Sequence, residues 1–183
     1  MRTSTGGWVN LDLKTNAELK AAIDKCFEIA KHVPSCFAIA SWDVSGIEDF
    51  SEAFNLLLGG RNADLDLIAP DIQDWDVSNG KNFYQMFAGA TEFNGAISKW
   101  DVSKGRNFDE MFYRAKAFNR NLGDWDVSQG TSFENMFKDA DACELELWSD
   151  MSSGKTGSVR CGVCTRIEQR PPRLTPLSGQ VVA

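Results

Sequence analysis

An aspartate recurs along this chain in one setting: Asp43, Asp76, Asp101 and Asp126 each follow a tryptophan and precede Val-Ser. Carboxylates repeated at fixed spacing stand one above another, and such a column repels itself unless a divalent cation or a cationic ligand neutralises it. The same residues suit a plainer task, accepting hydrogen bonds from the serine or the backbone of the turn, and that use is the expected one. Ser45, Ser78, Ser103 and Ser128 have the chemistry of nucleophiles. A serine nucleophile needs a base, however, and the single histidine, His32, lies at the end of a predicted helix and cannot serve several repeats. These serines are therefore read as turn and helix-start residues. Cys161-Gly-Val-Cys164 offers half a zinc site or a redox pair, yet zinc requires two further ligands, and His32 and Cys143 are not at a suggestive spacing. Gly154-Lys-Thr156 echoes the end of a phosphate loop, but the required earlier glycine falls at Ser149. No catalytic residue, metal or cofactor is expected.

Those groups are positioned by a repeat. Trp75, Trp100 and Trp125 are spaced by 25 residues, and the match runs through WDVSNGKNFYQMFAGATEFNGAISK, WDVSKGRNFDEMFYRAKAFNRNLGD and WDVSQGTSFENMFKDADACELEL. A weaker copy starts at Trp42 and carries an insertion at 57–68. The last copy decays, with Cys143 and Glu144 replacing the Phe-Asn pair and Trp148 arriving two residues early. Two periodicities alternate inside a unit. Phe83, Met86, Phe87 and Ala90, like Phe108, Met111, Phe112 and Ala115, fall at i, i+3, i+4 and i+7, which predicts a short helix with one apolar face. Upstream, Ile72, Trp75 and Val77 have the L-x-x-L-x-L spacing of a leucine-rich-repeat strand, as do Ile97, Trp100 and Val102, and Leu122, Trp125 and Val127. Tryptophan and valine then point inward and aspartate outward.

One such unit cannot bury its own apolar face, so the units are expected to stack, with each Trp and Phe meeting its counterpart in the next. Six Trp and twelve Phe against two Tyr account for most of the 11% aromatic content, and this expectation assigns them to the core rather than to ligand stacking. Asn94 and Asn119 read as internal turn ladders, and Gly80, Gly105 and Gly130 as sites of positive φ or close packing. Before the array, Thr15-x-x-Glu18 is a capping box, and Leu19, Ala22, Ile23, Cys26, Phe27 and Ala30 trace one face of a helix over 15–32.

The division expected is an N-terminal arm and capping helix at 1–41, about four repeat coils at 42–150, and a basic tail at 151–183 whose composition suits a disordered segment. Charge is segregated accordingly. Residues 1–150 hold 14 basic and 25 acidic side chains, or −11, while the tail carries +4. An acidic body repels phosphate backbones, which argues against nucleic-acid binding. No run approaches the ~18 apolar residues of a membrane span, and the start of the chain lacks the apolar core of a signal peptide. Five cysteines are too few for a disulfide-built scaffold of this length. Cys26 and Cys36 are placed to bridge across the end of the first helix, and Cys143, standing where neighbouring units carry Phe, reads as a buried apolar side chain.

The unit W-D-V-S-x-x-x-x-[FM]-x-x-M-F-x-x-A-x-x-F-N-x-x-I-x-x-W resembles the repeat of BspA-like leucine-rich-repeat surface proteins, also found in mycoplasma lipoproteins. The resemblance covers about residues 15–148 and departs from the pattern at Gly80, Gly105 and Gly130, where an apolar residue such as Ile47 is usual. It implies an α/β solenoid of short strand plus short helix coils, an adhesion-like role at the cell surface or in secreted form, and no catalytic residues. The expected function is non-catalytic binding of a protein or cell-surface ligand through the exposed strand face at Asp43, Asp76, Asp101, Asp126, Lys99 and Asp124. The alternative is a small metal or redox protein built on Cys161 and Cys164.

Overall fold

A computed structural model describes residues 11–30, 36–57 and 72–143. Helix α1 spans Asn16–Ala30, and a 3₁₀ helix spans Cys36–Ser41. The capping box predicted for α1 is formed. Thr15 Oγ1 accepts the Glu18 N–H at 3.2 Å, while Glu18 Oε2 accepts the Thr15 and Lys14 N–H groups at 3.0 and 2.9 Å. These bonds occupy N–H groups that a helix start cannot pair internally, and they hold the Glu18 carboxyl below its ordinary pKa. Leu19, Ile23 and Cys26 form the buried face of α1.

Beyond α1 the repeats stack. Parallel bridges link Asp49 to Asn82, Asn82 to Asn107, and Asn107 to Ser132. The backbone ladder therefore lies seven residues downstream of the tryptophan that opens the Trp-Asp-Val stretch, where the sequence pattern put the strand. The Trp-Asp-Val stretch is itself a pair of turns, with the Trp100 N–H on Ile97 C=O at 3.1 Å and the Gly105 N–H on Val102 C=O at 2.8 Å. In the first unit Asp43 makes an isolated parallel bridge to Asp12, the one such bridge of a Trp-Asp-Val stretch among the described residues.

The predicted helix at Phe83–Ala90 is also replaced by turns. Met86, Ala88 and Ala90 donate back to Phe83, Gln85 and Phe87 C=O at 3.1–3.2 Å. The alternate N–H groups, of Phe83, Gln85, Phe87 and Gly89, donate instead to Asn107, Asp109, Met111 and Tyr113 C=O of the next unit at 2.7–3.0 Å. An α-helix would close all of these bonds within one segment and leave none for a neighbour. The alternation requires left-handed residues, and Gln85, Glu110 and Asn135 have φ of 52°, 55° and 53°, with Gly89, Arg114 and Asp139 at 72°, 59° and 60°. The apolar spacing identified the buried side chains correctly, since Phe83, Met86, Phe87 and Ala90 are all in the core.

This arrangement has a direction. In a β-ladder the N–H and C=O groups alternate along each edge and their dipoles nearly cancel. Here every inter-unit N–H of the turn segment points to the later unit and every C=O to the earlier one. The pattern repeats at Phe50–Leu56 donating to Asn82–Ala88 and at Phe108–Arg114 donating to Ser132–Lys138. The turn segments thus have an acceptor side and a donor side, while Lys81, Arg106 and Thr131 just before them donate the other way, to Glu48, Lys81 and Arg106 C=O of the earlier unit. On the acceptor side, Asn16 at the start of α1 turns its side-chain amide onto Asp49 and Ser51 C=O at 3.1 and 2.9 Å. Helix α1 therefore caps the array by hydrogen bonding as well as by covering its apolar core.

Aromatic rings run through the stack in register. Phe50, Phe83, Phe108 and Phe133 follow one another with centroids 5.6, 5.3 and 5.2 Å apart. Phe54, Phe87, Phe112 and Phe137 do so at 5.4, 5.5 and 5.4 Å. The tryptophans stitch units through their indoles. Trp75, Trp100 and Trp125 Nε1 donate to Ile39, Ile72 and Ile97 C=O of the preceding unit at 2.8, 3.0 and 3.2 Å. Trp42 opens the series, and its buried indole N–H has no partner among the described residues.

The unusual glycines serve close packing, since Gly80, Gly105 and Gly130 do not have positive φ. A Cβ on Gly105 would stand 2.2 Å from Phe108 Cζ and 2.9 Å from Val102 O, with the same overlap of Phe83 at Gly80 and Phe133 at Gly130. The phenyl ring lies where a side chain would be. Of the 57–68 insertion only Leu57 belongs to the described residues, and the tail from 151 lies outside them.

Candidate binding face

Asp43, Asp76, Asp101 and Asp126 are all exposed, between a buried tryptophan and a buried valine. Each closes its own turn. The Oδ1 atoms accept the N–H of Ser45, Ser78, Ser103 and Ser128 at 3.0, 3.0, 3.0 and 2.9 Å. The Ser45 hydroxyl adds a second bond to Asp43 at 2.6 Å. The carboxyls of Asp43 and Asp101 are lowered first by the serine hydroxyl and then by the serine N–H. For Asp126 the order of the same two donors is reversed, and the neighbouring charge of Asp101 pushes back upward. Asp126 thus senses the charge of Asp101, and the serines act as turn donors. Among the described residues no group of three or more His, Cys, Asp or Glu is placed to hold a metal ion.

Lys99 and Asp124 occupy the exposed position just before the tryptophan in successive units. Lys104, between the Asp101 and Asp126 turns in sequence, bonds across units to Asn79 Oδ1 at 2.7 Å, and Asn79 Nδ2 in turn reaches Ser45 C=O at 2.9 Å. The face is therefore a regular polar surface braced by inter-unit bonds.

A second column was missed by the sequence reading. Asp49, Asn82 and Asn107 accept the N–H two residues ahead, from Ser51, Tyr84 and Asp109, at 2.9, 3.1 and 2.9 Å. These are the residues of the parallel bridges. The signal was present in the Asp/Asn/Ser recurrence just before each Phe. The Asn94–Asn119 ladder is formed, with Asn94 Oδ1 accepting the Asn119 N–H at 3.1 Å.

Cys26 and Cys143 are each disulfide-bonded. This corrects the reading of Cys143 as an ordinary apolar core residue: it is buried, but its sulfur is committed to a bond. His32, Cys161, Cys164 and Gly154-Lys-Thr156 lie outside the described residues.

A family model described as "Mycoplasma protein of unknown function, DUF285" matches residues 18–151. The chain belongs to the DUF285 family. The match begins inside α1 and runs through every stacked unit, so the DUF285 region takes in the capping helix together with the repeats. No curated protein and no solved structure matches the chain. No helix among the described residues is long and apolar enough to cross a membrane.

Proposed function

We propose that this DUF285 chain is a non-catalytic repeat module that binds a protein or cell-surface ligand through the face bearing Asp43, Asp76, Asp101 and Asp126 with Lys99 and Asp124. In this reading the stacked units form a solenoid of the BspA-like leucine-rich-repeat kind, with turns in place of the second arm's helix. The observation that carries the reading is the division of labour within a unit. The aromatic side chains are consumed by inter-unit stacking, while the exposed residues between them repeat at a spacing set by the stack. Repeat proteins bind extended partners through such regular surfaces. The disulfides at Cys26 and Cys143 support an oxidising compartment.

The test uses the full chain as bait against cell-surface and secreted proteins, beside a variant carrying Asp101→Lys and Asp126→Lys. Each substitution removes the acceptor that closes its own turn, so the variant is expected to melt several degrees lower, to remain folded at 25 °C, and to lose the captured partner. Undiminished capture by the folded variant would refute the assignment of this face.

A further inference from the structure

Two Asn-Gly pairs occur in the chain, Asn79-Gly80 and Asn94-Gly95, and the stack treats them in opposite ways. An asparagine followed by glycine is able to close on itself: the glycine nitrogen, with no side chain beside it, attacks the asparagine side-chain carbon. That attack needs an available N–H, a carbonyl oxygen prepared to take up charge, and an amine free to leave. At Asn79-Gly80 the nucleophile is withheld. Gly80 is buried, and its N–H is committed to Val77 C=O at 2.7 Å, the bond that closes the turn. The Asn79 amine is held as well, donating to Ser45 C=O at 2.9 Å.

At Asn94-Gly95 all three requirements are met. Among the described residues neither the Gly95 N–H nor Asn94 Nδ2 has an acceptor, and both residues are half-buried. Two groups of the next unit meet the pair. The Asn119 N–H donates to Asn94 Oδ1 at 3.1 Å, the atom on which negative charge gathers when the side-chain carbon is attacked, and a fixed backbone donor there stabilises that charge. The Arg120 guanidinium sets Nε and Nη2 on Asn94 C=O at 2.9 and 2.6 Å. This carbonyl shares its peptide group with the Gly95 nitrogen, so the cation draws electron density from the N–H and favours its deprotonated form. The glycine itself is fixed by packing, since a Cβ on Gly95 would lie 2.8 Å from Phe93 Cε2. One unit further on the arrangement is absent: Asn119 Oδ1 has no donor among the described residues, and the residue that follows it is Arg120 instead of glycine.

We propose that Asn94 is a self-modification site, converted to an acidic residue by attack of the Gly95 nitrogen on its side chain, with the Asn119 N–H and the Arg120 guanidinium promoting the step. This inference goes beyond the binding role proposed above and does not depend on it. Hydroxide takes the Gly95 N–H proton, the nitrogen bonds to Asn94 Cγ, and the C=O electron pair moves onto Oδ1. The pair then returns, the Cγ–Nδ2 bond breaks, and Nδ2 leaves as ammonia with a proton from water, which restores the hydroxide. Water opens the resulting succinimide, its hydroxyl going to a carbonyl carbon and its proton to the Gly95 nitrogen. Opening at Cγ gives aspartate, and opening at the main-chain carbon gives isoaspartate; nothing is oxidised or reduced. The aspartate product suits the site, because a carboxylate accepts the Asn119 N–H as the amide did and lies beside the Arg120 charge. Isoaspartate instead lengthens the main chain by one carbon in the turn that Arg120 braces. Either way the unit gains a negative charge in a single direction of change.

The full chain, held in mildly alkaline buffer and sampled over days, tests the site through tryptic peptides whose amide-to-acid mass gain is located by fragmentation. In the folded chain Asn94 should convert at least about tenfold faster than Asn79, whose glycine must first break its turn. In urea the two Asn-Gly pairs should convert at similar rates. Arg120→Gln keeps a donor and removes the charge; it should slow Asn94 about tenfold, the effect of one pKa unit on the attacking nitrogen, and leave Asn79 unchanged. Arg120→Lys should recover most of the lost rate. If Arg120 served only to hold the turn, its loss would loosen Asn94 and speed the conversion, so the sign separates the two roles. Unchanged or faster conversion in Arg120→Gln overturns the proposal. So does an Asn94 in the folded chain that stays intact or converts no faster than Asn79.

Discussion

Replacing Gly105 by alanine is, by backbone criteria, a stabilising change. Its φ is not positive, so alanine would restrict the unfolded chain and favour folding by about 0.4–1 kcal/mol. The packing predicts the opposite sign. The added carbon would lie 2.2 Å from Phe108 Cζ, more than 1 Å inside the roughly 3.5–4.0 Å at which carbon atoms rest. On its other side Val102 O, at 2.9 Å, belongs to the backbone and yields less easily. The ring must tip, and it is stacked on both faces, with Phe83 at 5.3 Å and Phe133 at 5.2 Å. Aromatic pairs contribute about 0.5–1.5 kcal/mol each beyond area burial. Losing much of both costs about 1–3 kcal/mol, and the net expectation is a destabilisation of about 1–2 kcal/mol.

A double-mutant cycle separates this cause from a general intolerance of the site. Phe108→Leu removes Cζ, the atom that is struck, and on its own forfeits the two stacks. In the double variant the alanine meets no ring, so the ring's share of its cost should vanish and only the contact with Val102 O remain, giving a coupling of about 1–2 kcal/mol. The assay is equilibrium urea unfolding followed by tryptophan fluorescence. Additive effects of the two substitutions would refute the reasoning, because they would mean that the ring does not occupy the space above Gly105.

Asn16→Ala should destabilise the chain by about 1–2 kcal/mol, because Asp49 and Ser51 C=O both lose the amide that caps them; Asn16→Asp should cost more, since it sets a carboxylate against two carbonyls, and thermal midpoints measure both. Calcium should leave the melting temperature of the wild type and of the Asp101→Asn, Asp126→Asn variant unshifted, because each Oδ1 already accepts the serine N–H of its own turn; a shift seen only in the wild type would restore the cation reading. The Asp43, Asp101 and Asp126 carboxyls sit below their ordinary pKa in the folded chain, so their stabilising effect is complete above about pH 4 to 5 and is lost as pH falls through the folded values. Carboxyl NMR titration of Ser103→Ala should show the Asp101 pKa rising toward normal, since the serine hydroxyl is the largest cause of its depression.

The parts of this molecule that could be read from the sequence are those in which side-chain identity and position suffice. Trp100 in, Asp101 out and Val102 in follow from a period of two whether the segment is a strand or a pair of turns. Likewise Phe108, Met111, Phe112 and Ala115 are buried whether the backbone is helical or alternates in hand. What the pattern could not carry is the destination of the backbone hydrogen bonds. The i, i+3, i+4, i+7 spacing is satisfied equally by a helix and by a run of turns with left-handed residues at Glu110 and Arg114. The choice between them is made by the neighbouring units, which take every second N–H and C=O. A single unit excised from the array would have no such neighbours, and its own preferences favour a helix: glutamate and arginine are good helix formers and poor left-handed residues.

The same argument explains why the cap over the first unit is polar as well as apolar. An α-helical repeat would saturate its own backbone and need only apolar cover. Here the backbone polarity of the turn segments demands donors over the first unit, and the residue that meets that demand, Asn16, is polar. Asn16 is only an unspecified position in the Thr15-x-x-Glu18 capping box, yet its amide reaches residues 33 and 35 positions later. No local spacing rule could have found that contact. It becomes predictable once the direction of the ladder is known, because the acceptor side must then be met by a side chain that donates.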